Sequence, residues 1–147
     1  MNLEKTLDRL ISVSADSAKR YRHAALDVGK EYLARFFNQQ SDIRKRHADE
    51  LQTERNQLGI KKDESGSVAG ALNTAAMDFN VVMSMGDTGV VDWCRKGAEA
   101  AAKEYQQALR ENPSPQLRGV LERQLGEIFA TVASLEQVLR DYGGPRS

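Results

Sequence analysis

The chain has one cysteine, Cys94, so no internal disulfide framework is available to it. A reducing compartment is the natural home of such a chain. Charge of one sign is also missing: 21 basic residues balance 21 acidic ones. That balance gives no basis for nucleic acid or an anionic membrane as the main partner. No apolar run approaches the ~20 residues of a spanning helix, and the first twenty residues lack the continuous apolar core of a signal peptide. The expectation is a soluble, cytoplasmic protein. Histidine is scarce, with only His23 and His47. There is no G-x-S-x-G, no glycine-rich phosphate loop and no histidine beside a candidate nucleophile, so hydrolase and nucleotide chemistry find no foothold. Strand-period segments and internal repeats are absent as well.

What remains is helix. The 147 residues suffice for one domain with a sizeable core. A first helix is expected over 2–28, with Leu3, Leu7, Leu10, Ser14, Ala18, Tyr21, Ala25 and Val28 forming a seam at steps of four and three. Gly29 stands where a C-terminal cap belongs. A second helix starts near Lys30, so close behind that the pair must fold back as an antiparallel hairpin. It stops at Leu58, with Gly59 as cap. Its buried stripe reads Leu33, Phe36, Gln40, Ile43, His47, Leu51 and Leu58. Arg35, Arg44 or Arg46, Asp49 and Glu54 are assigned to the solvated face.

After a polar loop over 59–66, Ser67 can cap a further helix over 68–83, whose apolar side belongs in a core. Gly86 breaks it and Asp87 can cap the next. That helix, over 88–111, carries Val90, Val91, Cys94, Ala98, Ala101, Tyr105 and Ala108. Cys94 reads as a small buried hydrophobe rather than a reactive thiol. Trp93 beside the stripe could pack on the 68–83 segment. Ser114 as cap with Pro115 at the first helical position opens the last helix, which runs to Tyr142 on Leu117, Leu121, Leu125, Ile128, Val132, Leu135 and Leu139. The expected organisation is a single helical domain over 1–142 and a flexible tail over 143–147.

Two tight hairpins joined by roughly 30 residues suit a four-helix bundle with one long crossover, since plain up-and-down bundles use short connections. The segments YRHAALDV, KRHADELQ, SGSVAGALN, CRKGAEAAAKEYQQAL and LERQLGEI resemble a bacterial family of ferritin-like proteins of unknown function. The resemblance spans nearly the whole chain; SGSVAGAL with the later LERQL is its most specific pair. It implies an all-α, ferritin-like four-helix bundle and a stress-associated role, and the helix read over 68–83 is then an additional one in the crossover. It implies no reaction, and fold does not fix function.

A di-iron bundle of this type sets one inward Glu on each of two helices and Glu-x-x-His on each of the others. Here Arg44 precedes His47 by three, and Arg20 precedes His23 by three, so that motif does not occur. Lys19 stands where the resemblance implies an acid. His47, Glu50, Glu99 and Glu127 are the surviving ligand candidates, and spacing does not bring them to one face. The expectation is therefore a non-catalytic scaffold or interaction protein with no metal, cofactor or catalytic residue, and a homo-oligomer, a dimer through a helix face, as its partner state. A degenerate metal site near His47 is the alternative. A nucleic-acid surface built on Arg44, Lys45, Arg46, Lys61 and Lys62 is diluted by Asp42, Asp49, Asp63 and Glu64. His47 itself reads as a hydrogen-bonded core imidazole, with Glu50 a candidate partner one turn away.

Overall fold

A computed structural model describes residues 2–59 and 86–143. These residues form four helices and no strand: α1 (Leu3–Asp27), α2 (Glu31–Gln57), α3 (Gly86–Arg110) and α4 (Pro115–Gly143). The expected helix over 68–83, its Ser67 cap, Trp93's contact with it, Lys61, Lys62 and the tail beyond Gly143 lie outside the described residues.

Local chemistry accounts for the helix ends. Asn2 caps α1, its Oδ1 accepting the Lys5 N–H at 3.1 Å. Gly59 follows α2 in the left-handed conformation at φ 75°, as a glycine cap requires. Gly29 does not do this at the end of α1. There Val28 turns the chain in an extended conformation, and the Gly29 N–H donates to Asp87 Oδ1 at 2.9 Å. Asp87 is accordingly not the cap of its own helix, which already begins at Gly86. Its carboxylate ties the start of α3 to the α1–α2 turn. Ser114 caps α4, with the Leu117 N–H 3.3 Å from its Oγ and Pro115 at the first helical position.

The cross-helix contacts fix the directions. Arg55 with Asp8, Ser41 with Ala18 and Arg22 with Asn38 run α1 against α2. Thr6 with Glu111, Ser14 with Tyr105 and Arg20 with the Trp93 carbonyl run α1 against α3. Glu54 with Gln116, His47 with Glu127 and Gln40 with Thr131 run α2 against α4. All three pairs are antiparallel, so α2 and α3 point the same way.

Two apolar clusters fill the bundle. One gathers Leu7, Leu10, Leu51, Ala101, Tyr105, Leu117, Leu121 and Ile128 near one end. The other gathers Tyr21, Ala24, Leu33, Phe37, Val90, Val91, Cys94 and Leu135 near the other end, with Tyr21 stacked on Phe37 at 6.0 Å between ring centroids. Each fully buried large side chain contributes ~1.5–3 kcal/mol. Between the clusters lies a polar layer: Ser14, Gln40, Ser41, Arg44, His47, Gln124 and Thr131 are all buried.

That layer corrects the expected face of α2. Arg44 is 1 % exposed and Glu54 is buried, although their charge assigns both to solvent. Phe37 rather than Phe36 is fully buried, and Leu58 is largely exposed. In the middle of the bundle α2 packs against α1 and α4 together, so its buried arc is wider than an apolar stripe. The polar residues at 40, 41, 44 and 47 fill the extra width. Arg44's burial also removes it from any surface shared with Lys45 and Arg46. Cys94 is fully buried as expected, and burial pushes its thiol far up from the usual range.

Candidate functional site: the buried layer around His47

His47 sits on α2, 1 % exposed, with its Nε2 3.0 Å from Glu127 Oε1 on α4. Its Nδ1 faces Arg44 Nη1, one turn back on the same helix, at a long 3.5 Å. Arg44 has only donors, so Nδ1 must be the acceptor there. The proton of a neutral imidazole then rests on Nε2, where it is donated to the Glu127 carboxylate. Burial holds the His47 pKa below its usual value, and the Arg44 cation adds to that effect; the Glu127 hydrogen bond works in the opposite sense.

The neighbouring Glu50 does not bind His47. Its carboxylate is taken by Arg123 from α4 and, at 3.1 Å, by Gln124 Nε2. Desolvation raises its pKa, but these two hydrogen bonds and the Arg123 charge outweigh it and hold Glu50 below the usual carboxylate range. Arg123 also reaches Glu127 at 3.5 Å. Arg123, Glu50 and Glu127 are each about half exposed, so this clamp contributes no more than ~1 kcal/mol.

Behind His47 the network continues into the core. Tyr105 Oη donates to Gln124 Oε1 at 2.6 Å, which leaves Ser14 Oγ as the donor to Tyr105 at 3.1 Å. Gln124 passes its own N–H groups to Glu50 and to the His47 carbonyl at 3.4 Å. Burial pushes the Tyr105 phenol up to about 12. The Glu50 carboxylate, which only accepts, orients the Gln124 amide, and the directions of the Tyr105 and Ser14 hydroxyls follow in turn.

Arg44 is the exception in the layer. Its Nη2 is buried without a hydrogen-bond partner, and no carboxylate pairs with it among the described residues. The guanidinium carbon lies 5.9 Å from the Tyr21 ring centroid, a weak cation–π contact. Burial raises the Tyr21 phenol, while the Arg44 charge pulls it down.

An open cleft of about 360 Å³ reaches this layer from solvent, lined by Ile43, Arg46, His47, Asp49, Glu50, Arg123 and Glu127. Of the four ligand candidates, three line it and the fourth does not: Glu99 pairs with Arg95 on its own helix. Among the described residues, no group of three or more His, Cys, Asp or Glu side chains is arranged to hold a metal ion. None of the described helices is long and apolar enough to cross a membrane.

Gln124 and Arg123 are members of the layer that the spacing does not single out; charge assigns Arg44 to solvent, and Tyr105 falls on the buried stripe without its polar role. The signal for Arg44 was present, since 40, 44, 47 and 51 advance by four, three and four. Charge argued it off the stripe. Gln124 was hidden behind Leu125, the apolar neighbour that fits the same spacing.

The described residues thus define a four-helix protein whose core is crossed by a buried, charged hydrogen-bond layer. The chain belongs to the family described as a domain of unknown function (DUF2383), whose model matches residues 2–111. That match takes in α1, α2 and α3; Arg123, Gln124 and Glu127, the α4 half of the layer, lie beyond it. No curated protein and no solved structure matches the chain.

Proposed function

We propose that this chain is a non-catalytic bundle of ferritin-like topology, a scaffold or interaction protein whose polar centre holds the fold rather than a reaction. The observation that carries this reading is the occupation of His47. Arg44 faces one imidazole nitrogen and Glu127 the other, so neither is free for a metal or a substrate. A buried guanidinium also stands one turn from His47, at the i−3 position where the Glu-x-x-His motif has its acid. Electrostatics there repels a second cation.

The ferritin-like topology is supported by helix direction. Since α2 and α3 are parallel, Gln57 and Gly86 lie at opposite ends of the bundle, and one long crossover is the simplest link. The extra helix in that crossover rests on the apolar spacing over 68–83; a bacterial source and a stress-associated role rest on the family resemblance alone. A reducing, cytoplasmic home rests on the single, deeply buried thiol.

The second reading is a degenerate iron-handling site. It is favoured by one observation: His47, Glu50 and Glu127 line the same cleft. A metal there would have to displace Arg123 from both carboxylates. Metal analysis of the purified protein, then anaerobic iron(II) titration followed by oxygen, separates the two readings. Background metal and no oxidation signal are expected. Stoichiometric iron that His47→Gln abolishes would replace the first reading with the second.

A further inference from the structure

On the α1–α2 side of the bundle runs a groove of about 500 Å³. Its floor is made of small residues, Ala15, Ala18 and Ala48 with Ser41, whose hydroxyl is turned to the Ala18 carbonyl. Its rim is cationic: Lys19, Arg22 and Lys45, against one acid, Asp49. Arg22 is engaged by Asp42 and Asn38, but Lys19 and Lys45 make no ion pair among the described residues. A floor of alanines lets another helix approach closely.

A surface of opposite character lies on α4. Phe129 is 47 % exposed. Glu122, Gly126, Phe129, Ala133 and Glu136 advance by four and three, so they share one face, and every one of them is exposed. The two glutamates make no ion pair among the described residues. Gly126 lies on the same face, one turn before Phe129. A Cβ built there would meet nothing within 4 Å, so no contact inside the protomer requires glycine. Glycine in an exposed helix interior weakens the helix relative to alanine, and a close approach from outside gives it a use.

We infer that these two surfaces bind each other between copies of the chain: the α4 strip of one copy seats Phe129 on the alanine floor of the next, with Glu122 and Glu136 facing Lys19 and Lys45. The occupant is a second copy because the groove is rimmed by cations, the strip carries acids around an exposed aromatic ring, and one sequence carries both. The contact joins two different surfaces, so it is head-to-tail, and assembly continues beyond the dimer unless the rotation closes a ring. This inference rests on the scaffold reading and supplies its partner.

Sedimentation velocity of the full chain over a wide concentration range at low salt tests it. The average mass should rise above the 16.3 kDa monomer and fall back as salt screens the rim. Phe129→Asp and the double variant Lys19→Glu with Lys45→Glu should each weaken self-association about tenfold or more, the scale expected of an aromatic anchor. Mixed together, the two variants should form a one-to-one pair, since one keeps the groove and the other keeps the strip. Far-UV circular dichroism and a urea melt confirm that each variant is folded. A wild-type chain that stays monomeric, or an assembly indifferent to these substitutions, overturns the inference. The scaffold reading is judged separately by the iron titration, so the two can fail independently.

Discussion

Replacing His47 with Gln should change how stability depends on pH as well as its value. In the folded chain the imidazole is buried between the Arg44 guanidinium and the Glu127 carboxylate, and its pKa lies below the ordinary 6.5. The unfolded chain therefore takes up the proton first as pH falls. His47 leaves stability untouched above pH 6.5 and erodes it below, down to its folded pKa, with a slope of at most ~1.4 kcal/mol per pH unit. Gln cannot titrate, so the variant loses that slope. It should also lose about 1 kcal/mol near neutral pH, the net worth of one ordinary hydrogen bond. Urea denaturation of both proteins at about pH 7.5 and about pH 5.5 reads the two effects apart. The variant should be the weaker protein at the higher pH, and the gap should narrow or reverse at the lower one. Parallel pH profiles would refute the reasoning. A gap that widens on acidification would show that the folded state prefers a protonated imidazole paired with Glu127.

Arg44→Met should be neutral or stabilising by roughly 0–2 kcal/mol in a thermal melt, because the guanidinium is buried with Nη2 unpartnered and without a carboxylate; a destabilisation beyond that range contradicts the assignment. Gly97→Ala would put a Cβ 2.8 Å from Arg20 Nε, so Arg20 should leave the Trp93 ring on which it lies at 4.1 Å. The emission of Trp93, the chain's one tryptophan, should shift, while stability changes by no more than ~1 kcal/mol because alanine's better helix propensity offsets the weakened cation–π stacking. Ser114→Ala should cost about 1 kcal/mol of unfolding free energy, since the Leu117 N–H is then left without its cap. Cys94 should resist a thiol reagent in the native state and react only at the rate of opening; a burst of fast labelling would contradict its burial.

The helices and their limits could be read from the chain because spacing and caps are local. Leu7, Leu10, Tyr21 and Ala25 fall where their steps of three and four place them, and Ser114-Pro115 opens α4 as its chemistry dictates. The inward position of His47 followed from the same rule. Its partner did not. Glu127 is eighty positions away, and no local pattern says which of several glutamates meets an imidazole across two helices. Arg44 was misplaced for a different reason. Sequence rules treat charge as a marker of solvent, and that rule fails where four helices meet around a hydrogen-bonded layer. Asp87 and Gly29 show a third limit, since each has the residue type of a helix cap and is used instead to join α3 to the α1–α2 turn.

The two apolar clusters have little to say about how far along one another the helices slide. Leucine and alanine faces repeat every turn, so a shift of α4 by about 5.4 Å would still bury most of them. The polar layer repeats nowhere. After such a shift His47 Nε2 would no longer meet Glu127, Tyr105 would be separated from Gln124, and several buried donors would be stranded at once. Leucine at both 105 and 124 should then yield a bundle of similar stability whose amide resonances broaden, as helices sample neighbouring alignments. The layer acts as the notch of a ruler: the leucines hold the helices together, and His47 with its neighbours says where along their length they must stop.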